Sequence, residues 1–195
     1  MIDLHIHTIH SDGTASVSEV LAESERLGLK AISITDHNTV DAYKEIEDND
    51  LRKSFSGKII IGVELAAIVG GIEIEVLGYN IDWRKMDELI PIGMNGDTYH
   101  KGLPLDEIIG MIHKCDGKAI LAHPGRYKNA IDAVIDKIDG IEVYHFLNDN
   151  EYREKLLAIC KERGLIITGG SDYHGTAEPQ LINSENLPIK LLDQF

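Results

Sequence analysis

Nine histidines occur in the chain, and five of them stand where short apolar runs end: His5 and His7, His37, His123 and His174. Acidic residues accompany them at Asp12, Asp36, Glu64 and Asp172. In Leu4-His5-Ile6-His7-Thr8, the i,i+2 spacing of a strand turns both imidazoles to one face and Leu4 and Ile6 to the other. Two imidazoles side by side make a chelate for Zn, Mn or Fe; the alternative is a pair of satisfied strand histidines. Asp12 follows at once in Ser11-Asp12-Gly13, as a ligand or as the turn residue before glycine. In Thr35-Asp36-His37-Asn38, Asp36 or Asn38 can cap the next helix, whereas His37 has no such use and reads as a ligand.

Glu64 follows an apolar strand, and a buried lone carboxylate needs a metal or a cationic partner. Glu75 makes the same demand one strand later; Glu73 shares its face, so one of the two can turn to water. His123 ends another apolar run in Ala122-His123-Pro124-Gly125-Arg126. Arg126 is a planar donor suited to phosphate or carboxylate, or an ordinary surface arginine. Asp172 and His174 again lie two apart, among glycines that permit close backbone approach. Together these segments bring about eight oxygen and nitrogen ligands to one mouth, which exceeds one tetrahedral ion and suits two or three divalent cations sharing a carboxylate. Of the other histidines, His10 reads as loop, His100 lies in an irregular stretch, and His113 reads as structural on a helix. His145 follows a strand and is a candidate to face the site.

The elements that must position these residues follow from the hydrophobic pattern. Strands are expected at Ile2 to His7, Ala31 to Ile34, Lys58 to Val63, Ile72 to Tyr79, Ala119 to Ala122, Ile141 to Tyr144 and Leu165 to Thr168. Helices are expected at Ser16 to Leu27, Thr39 to Asp50, Pro104 to Cys115, Asn129 to Ile138 and Glu151 to Arg163. Ser16 with Glu19 reads as a capping box, Gly28 ends that helix, and Gly70-Gly71 reads as a turn. Strands alternating with helices argue for an α/β fold built on a parallel sheet, either a closed or nearly closed barrel or an open doubly wound sheet. In such folds the C-terminal ends of the strands carry the active site. The stretch from Asp82 to Leu103 shows no clear pattern and reads as an irregular loop.

Composition narrows the function. The chain has 195 residues, 43% hydrophobic and 27% charged, which suits one globular domain with a core. Its net charge of −14 disfavours long nucleic acid and anionic lipid as partners and suits the holding of cations. Two cysteines, Cys115 and Cys160, are too few for a disulfide framework or a thiolate zinc cage. No run reaches the length of a membrane helix, and the N-terminus lacks the pattern of a signal peptide, so a cytoplasmic protein is expected.

The ordered set Asp3-Leu4-His5-Ile6-His7-Thr8 with Ser11-Asp12-Gly13, Ile34-Thr35-Asp36-His37-Asn38, Gly62-Val63-Glu64, Ala122-His123-Pro124-Gly125-Arg126 and Gly170-Ser171-Asp172-Tyr173-His174 resembles the motifs of the PHP (polymerase and histidinol phosphatase) superfamily. The resemblance runs nearly end to end. It implies a distorted seven-stranded (βα)7 barrel, TIM-like, forming a single domain over 1–195 with a short irregular insertion at about 80–103 in place of the helical insertion of nucleotide-cleaving relatives. It also implies two or three divalent ions (Zn, Mn or Fe). His5, His7, Glu64 and Asp172 match the ligands of one ion, Asp12, His37 and His174 those of a second, and Glu64 with His123 those of a third. The family's usual histidine before Leu-Gly-Tyr is here Glu75, ahead of Leu77-Gly78-Tyr79. Arg126 matches a phosphate-contacting arginine, and His145 is a second candidate for contact with substrate.

The activity so implied is metal-dependent hydrolysis of small phosphate esters, of nucleotide, sugar phosphate or histidinol phosphate type. The attacking group would be a metal-bound hydroxide held by Glu64, Asp172 and His174. Bound cations would give the acidic surface a local attractor for a small anion. The alternatives are a short-oligonucleotide exonuclease and a metal-binding accessory or regulatory module with little catalysis. Amidohydrolase-like C–N cleavage shares the HxH opening but fits the Ser-Asp-Gly and Gly-Ser-Asp-Tyr-His segments less well.

Overall fold

A computed structural model describes residues 1–94, 102–175, 181–183, 185 and 187–194. The strands are β1 (Ile2–Ile6), β2 (Ala31–Ile34), β3 (Lys58–Ile59), β4 (Gly62–Val69), β5 (Ile72–Tyr79), β6 (Leu103–Pro104), β7 (Lys118–Leu121), β8 (Gly140–Tyr144) and β9 (Ile166–Gly169). The α-helices are α1 (Val17–Arg26), α2 (Asp41–Asp48), α3 (Trp83–Leu89), α4 (Leu105–Lys114), α5 (Ile131–Val134) and α6 (Asn150–Arg163).

β1, β2 and β3 pair in parallel as one sheet. The second sheet has the order β6-β4-β5-β7-β8-β9. Here β5 runs antiparallel to both neighbours, β4 and β7, while the remaining pairs are parallel. The cause is local. Gly70 and Gly71, at φ +57° and +82°, close a tight hairpin between β4 and β5, leaving no room for the crossover helix a parallel pair requires. The result is an α/β fold with a mixed sheet, where the alternation of elements predicted a wholly parallel one. Two isolated parallel bridges, Ile6 with Tyr173 and His37 with Glu64, connect the sheets where the histidines lie.

α1 begins with the expected capping box: Ser16 Oγ accepts the Glu19 N–H, and Glu19 Oε2 accepts the Ser16 N–H. It buries Val17, Val20 and Leu21. α4 buries Leu105, Ile108, Ile109, Met111 and Ile112 on one stripe, and Pro104 occupies its N-cap. A main core gathers these helix faces against Ile32, Ile34, Val63, Leu65 and Val76. A smaller cluster joins Ile2, Leu4, Leu77, Tyr79, Ile120 and Ala122, and Tyr79 Oη donates to the Leu4 carbonyl at 2.6 Å.

Three expectations need correction. The expected strand Lys58 to Val63 divides into β3 and a longer β4, and with β6 the described residues hold nine strands. The expected irregular loop from Asp82 begins with a helix, because Asp82 Oδ1 accepts the Arg84 and Lys85 N–H groups and caps α3; residues 95–101, including His100, lie outside the described residues. The expected helix Asn129 to Ile138 shortens to α5, preceded by a 3-10 turn over Pro124–Ala130 with a kink at Tyr127.

Candidate metal centre

β1 delivers His5 and His7, both fully buried, with their Nε2 atoms 3.0 Å apart. Glu64, the third residue of β4, places Oε2 at 3.1 Å from His5 Nε2 and 3.2 Å from His7 Nε2. Asp172, just past β9, places Oδ1 at 3.3 and 3.2 Å from the same atoms. Metal–ligand bonds of ~2.0–2.1 Å give a tetrahedron with edges of ~3.3–3.4 Å, so these separations match a four-ligand shell around one small divalent ion. Close approach of β9 to β1 makes this possible. A Cβ on Gly170 would lie 2.2 Å from His5 Cβ, and the Asp172 N–H donates to the His5 carbonyl at 2.9 Å.

A second set adjoins the first. Asp12 Oδ1 lies 3.2 Å from His174 Nε2 and 3.7 Å from His7 Nδ1, and Asp12 Oδ2 lies 3.6 Å from His37 Nε2. His7 thus turns one ring nitrogen toward each set. His37, Glu64 and Glu75 form a further convergent group, with His37 Nδ1 at 3.4 Å from Glu64 Oε2 and 3.7 Å from Glu75 Oε1. Glu64 therefore belongs to the first and the third of these groups and touches His7 and His37 of the second. The chemistry of the donors, imidazole nitrogen with carboxylate oxygen and no thiolate, fits Zn, Mn or Fe.

His123 sits differently. Its Nε2 lies between two carboxylates, 2.9 Å from Glu64 Oε1 and 3.3 Å from Glu75 Oε2. Arg126 and Tyr127 reach the same Glu75 oxygen at 3.1 and 3.4 Å. Glu73, on the same face of β5, is exposed. His145 is fully buried; the Leu147 N–H donates to its Nδ1, which leaves Nε2 to donate to Asp172 Oδ2 at 3.3 Å. His10 pairs with Glu45 at 2.6 Å, and His113 with Asp139 at 2.7 Å on the surface.

The electrostatics follow from gathering carboxylates and imidazoles out of water. Burial alone pushes His7 down, but its hydrogen bonds to Asp172 and Glu64 outweigh that and raise the imidazole to about 10. Burial likewise opposes the charge on Asp12, yet His174, His7 and His37 hold it down at about 2. Asp172 and Glu64 lie well below the usual carboxylate range, where His5 foremost among the imidazoles overcomes the cost of burial. Protons on His5 and His7 thus occupy the place of cations, whereas burial pushes His37 down.

Glu142 and Tyr127 are not singled out as site residues by the sequence patterns, and Asp36, grouped there with the acidic residues, has a different part. Glu142, fully buried in β8, accepts from His5 Nδ1 at 2.9 Å and from the His123 N–H at 2.8 Å. That bond keeps a proton on His5 Nδ1 and turns Nε2, the nitrogen that would meet a metal, into the centre. The signal was present: Glu142 interrupts an apolar strand just as Glu64 does. Asp36 joins none of the convergent groups among the described residues and does not cap α2. It accepts from the Thr8 N–H at 2.6 Å and from the Thr8 and Ser11 hydroxyls at 2.7 Å, shaping the loop that presents Asp12. Tyr127 Oη lies 2.9 Å from His123 Nδ1. Two candidate ligands, His123 at φ +24° and Asp172 at φ +55°, hold left-handed backbone, a strain that collects at functional sites.

Adjoining histidine–carboxylate sets at the strand ends of a mixed α/β fold make a candidate centre for more than one metal ion. The chain belongs to the PHP domain family, whose model matches residues 3–174. It is 30% identical over 159 residues to an uncharacterized protein of Methanocaldococcus jannaschii, covering 73% of this chain and 80% of that one. It is 23% identical over 247 aligned positions to the 5'-3' exoribonuclease Rnm of Escherichia coli, covering 88% and 84%. Its fold is similar to the crystal structure of a Bifidobacterium adolescentis protein assigned as a metal-dependent phosphoesterase, with TM-score 0.82 and 21% identity over 98% and 94% of the chains.

Proposed function

We propose that the chain hydrolyses small phosphate esters, of nucleotide, sugar phosphate or histidinol phosphate type, with divalent ions. The convergence of His5, His7, Glu64 and Asp172 at the edge lengths of a metal tetrahedron carries this reading. One ion would be held by those four residues, and a second by Asp12, His37 and His174. When bound, such ions supply Lewis acidity at phosphate oxygens and a nucleophile from water at neutral pH. The protein's own residues do the rest. Glu142 fixes the ring of His5, and His145 fixes Asp172. Arg126 stands at a cleft of about 460 Å³ lined also by Glu73, Ile74, Glu75 and Tyr127, within the size range of small-ligand sites. Its guanidinium, half-exposed beside Glu75, would meet a phosphate oxygen of a substrate entering the cleft.

Phosphate release from a panel of phosphomonoesters, nucleotides and histidinol phosphate tests the proposal, with Mn returned after chelator stripping and Asp172→Ala alongside. Metal-dependent turnover that is lost in the variant is expected. Turnover that persists in chelator, or in Asp172→Ala, refutes it. Similarity to the exoribonuclease supports a second reading, cleavage of short oligonucleotides, and a short RNA in the same panel separates the two.

A further inference from the structure

The geometry points to a centre that takes two divalent ions, with the Arg126 guanidinium standing in the place of a third. This inference rests on the proposed metal centre. Three carboxylates and His123 meet at its edges, yet they are not equivalent. Among the described residues, imidazole nitrogens are what approach Glu64 Oε2 and Asp172 Oδ1, and those can give up protons to a metal. At Glu75 Oε2 a permanent cation is already present: Arg126 Nη1 lies at 3.1 Å. Tyr127 Oη and His123 Nε2 approach the same oxygen at 3.4 and 3.3 Å. Glu75 Oε2, facing three donors, has little lone-pair density left for an ion, and its other oxygen, Oε1, faces His37 Nδ1 at 3.7 Å. A guanidinium, unlike an imidazole, cannot deprotonate to yield its place.

The arrangement is built rather than incidental. Glu75 is 5% exposed, so its charge needs a partner, and Arg126 supplies one from the half-exposed turn after His123. That turn is clamped. Asn148 Oδ1 accepts the Gly125 N–H at 2.8 Å, while Asn148 Nδ2 donates to the Glu142 and Val143 carbonyls at 3.0 and 2.9 Å. The Glu75 N–H donates to Tyr127 Oη at 3.0 Å, tying β5 to the same turn. Among the described residues, the convergent donor groups include His5, His7, His37 and His174, but none includes His123. Its Nε2 spans two carboxylates instead of joining a shell.

Native mass spectrometry of the full chain, reconstituted with Mn and desalted, reads the number of ions directly, with elemental analysis as a second count. Two ions per chain are expected for the wild type. A third should appear in Glu75→His, which replaces the guanidinium's partner with a neutral nitrogen ligand, and in Arg126→Ala, which frees the carboxylate. Three ions on the wild type, or no third ion in either folded variant, overturns the inference. Thermal melts confirm folding, and the wild-type count decides even if one variant does not fold. Fewer than two ions on the wild type would instead refute the metal centre itself, so the two failures are distinct.

Discussion

Replacing Glu142 by glutamine tests how the protein aims a ligand from behind. Glu142 presents two oxygens to two donors, His5 Nδ1–H and the His123 N–H, at 2.9 and 2.8 Å. Glutamine offers one oxygen and one NH2 in the same shape, so one of those donors must face a donor. The His5 bond also loses its charge assistance. A buried hydrogen bond to a charged group contributes ~1.5–3 kcal/mol. Loss of a group orienting a ligand histidine costs metal affinity ~10–100-fold, or ~1.4–2.8 kcal/mol, which agrees with that figure. Competition against a chelator of known strength, followed by Mn or Zn titration, measures the change. The expected result is an affinity ~10–100-fold lower with the same number of ions bound. Wild-type affinity in Glu142→Gln would refute the orienting role of Glu142.

Other perturbations follow from the same geometry. In the metal-free protein, His7 at about 10 lies above its ordinary 6.5, so its stabilising charge is fully present below pH 6.5 and is lost as pH rises through 10. Asp12 at about 2 works oppositely, stabilising above its ordinary 3.8 and failing as pH falls through 2. Melting temperatures of the stripped protein should therefore fall from neutral pH toward pH 10, and a rise over that window would contradict the assignment. Metal binding near neutral pH should release protons, visible as calorimetric heats that vary with buffer ionisation enthalpy. Tyr43→Phe removes a hydroxyl that donates to the Ile34 carbonyl at 2.6 Å and accepts the Gly62 N–H at 2.8 Å. It should cost ~1–3 kcal/mol in denaturant unfolding with the metal count unchanged. Gly170→Ala should lower both melting temperature and metal affinity, since the added Cβ meets His5 backbone and side chain within 2.8 Å. Gly110→Ala, in open space on α4, should instead raise stability by ~0.5–1 kcal/mol.

Much of the site is legible in the sequence because its signals are local. The i,i+2 spacing of His5 and His7 needs only a strand to bring the rings together, and the ring nitrogens do meet at 3.0 Å. Glu64 and Glu75 betray themselves as charges in apolar strands, and both are buried. The same rule applies to Glu142, whose role depends on a partner 137 residues away, so the pattern marks the residue without revealing its task. Asp36 looks like a helix cap because caps are the common use of that residue type. Its actual partners, Thr8 and Ser11, come from another strand's exit loop.

Residue types, their spacing and the strand-helix alternation determine the family, the candidate ligands and the α/β class, because each depends on side-chain chemistry and on contacts within a few residues. Tertiary structure alone decides the rest. The direction of β5 comes from a hairpin whose partner strands hide their polarity in sequence. Which nitrogen of His5 faces inward is set by a hydrogen bond between distant strands, the one to Glu142. The partnership of Glu75 is set likewise, since a carboxylate takes whichever cation the packed chain brings within reach, and here that cation is Arg126.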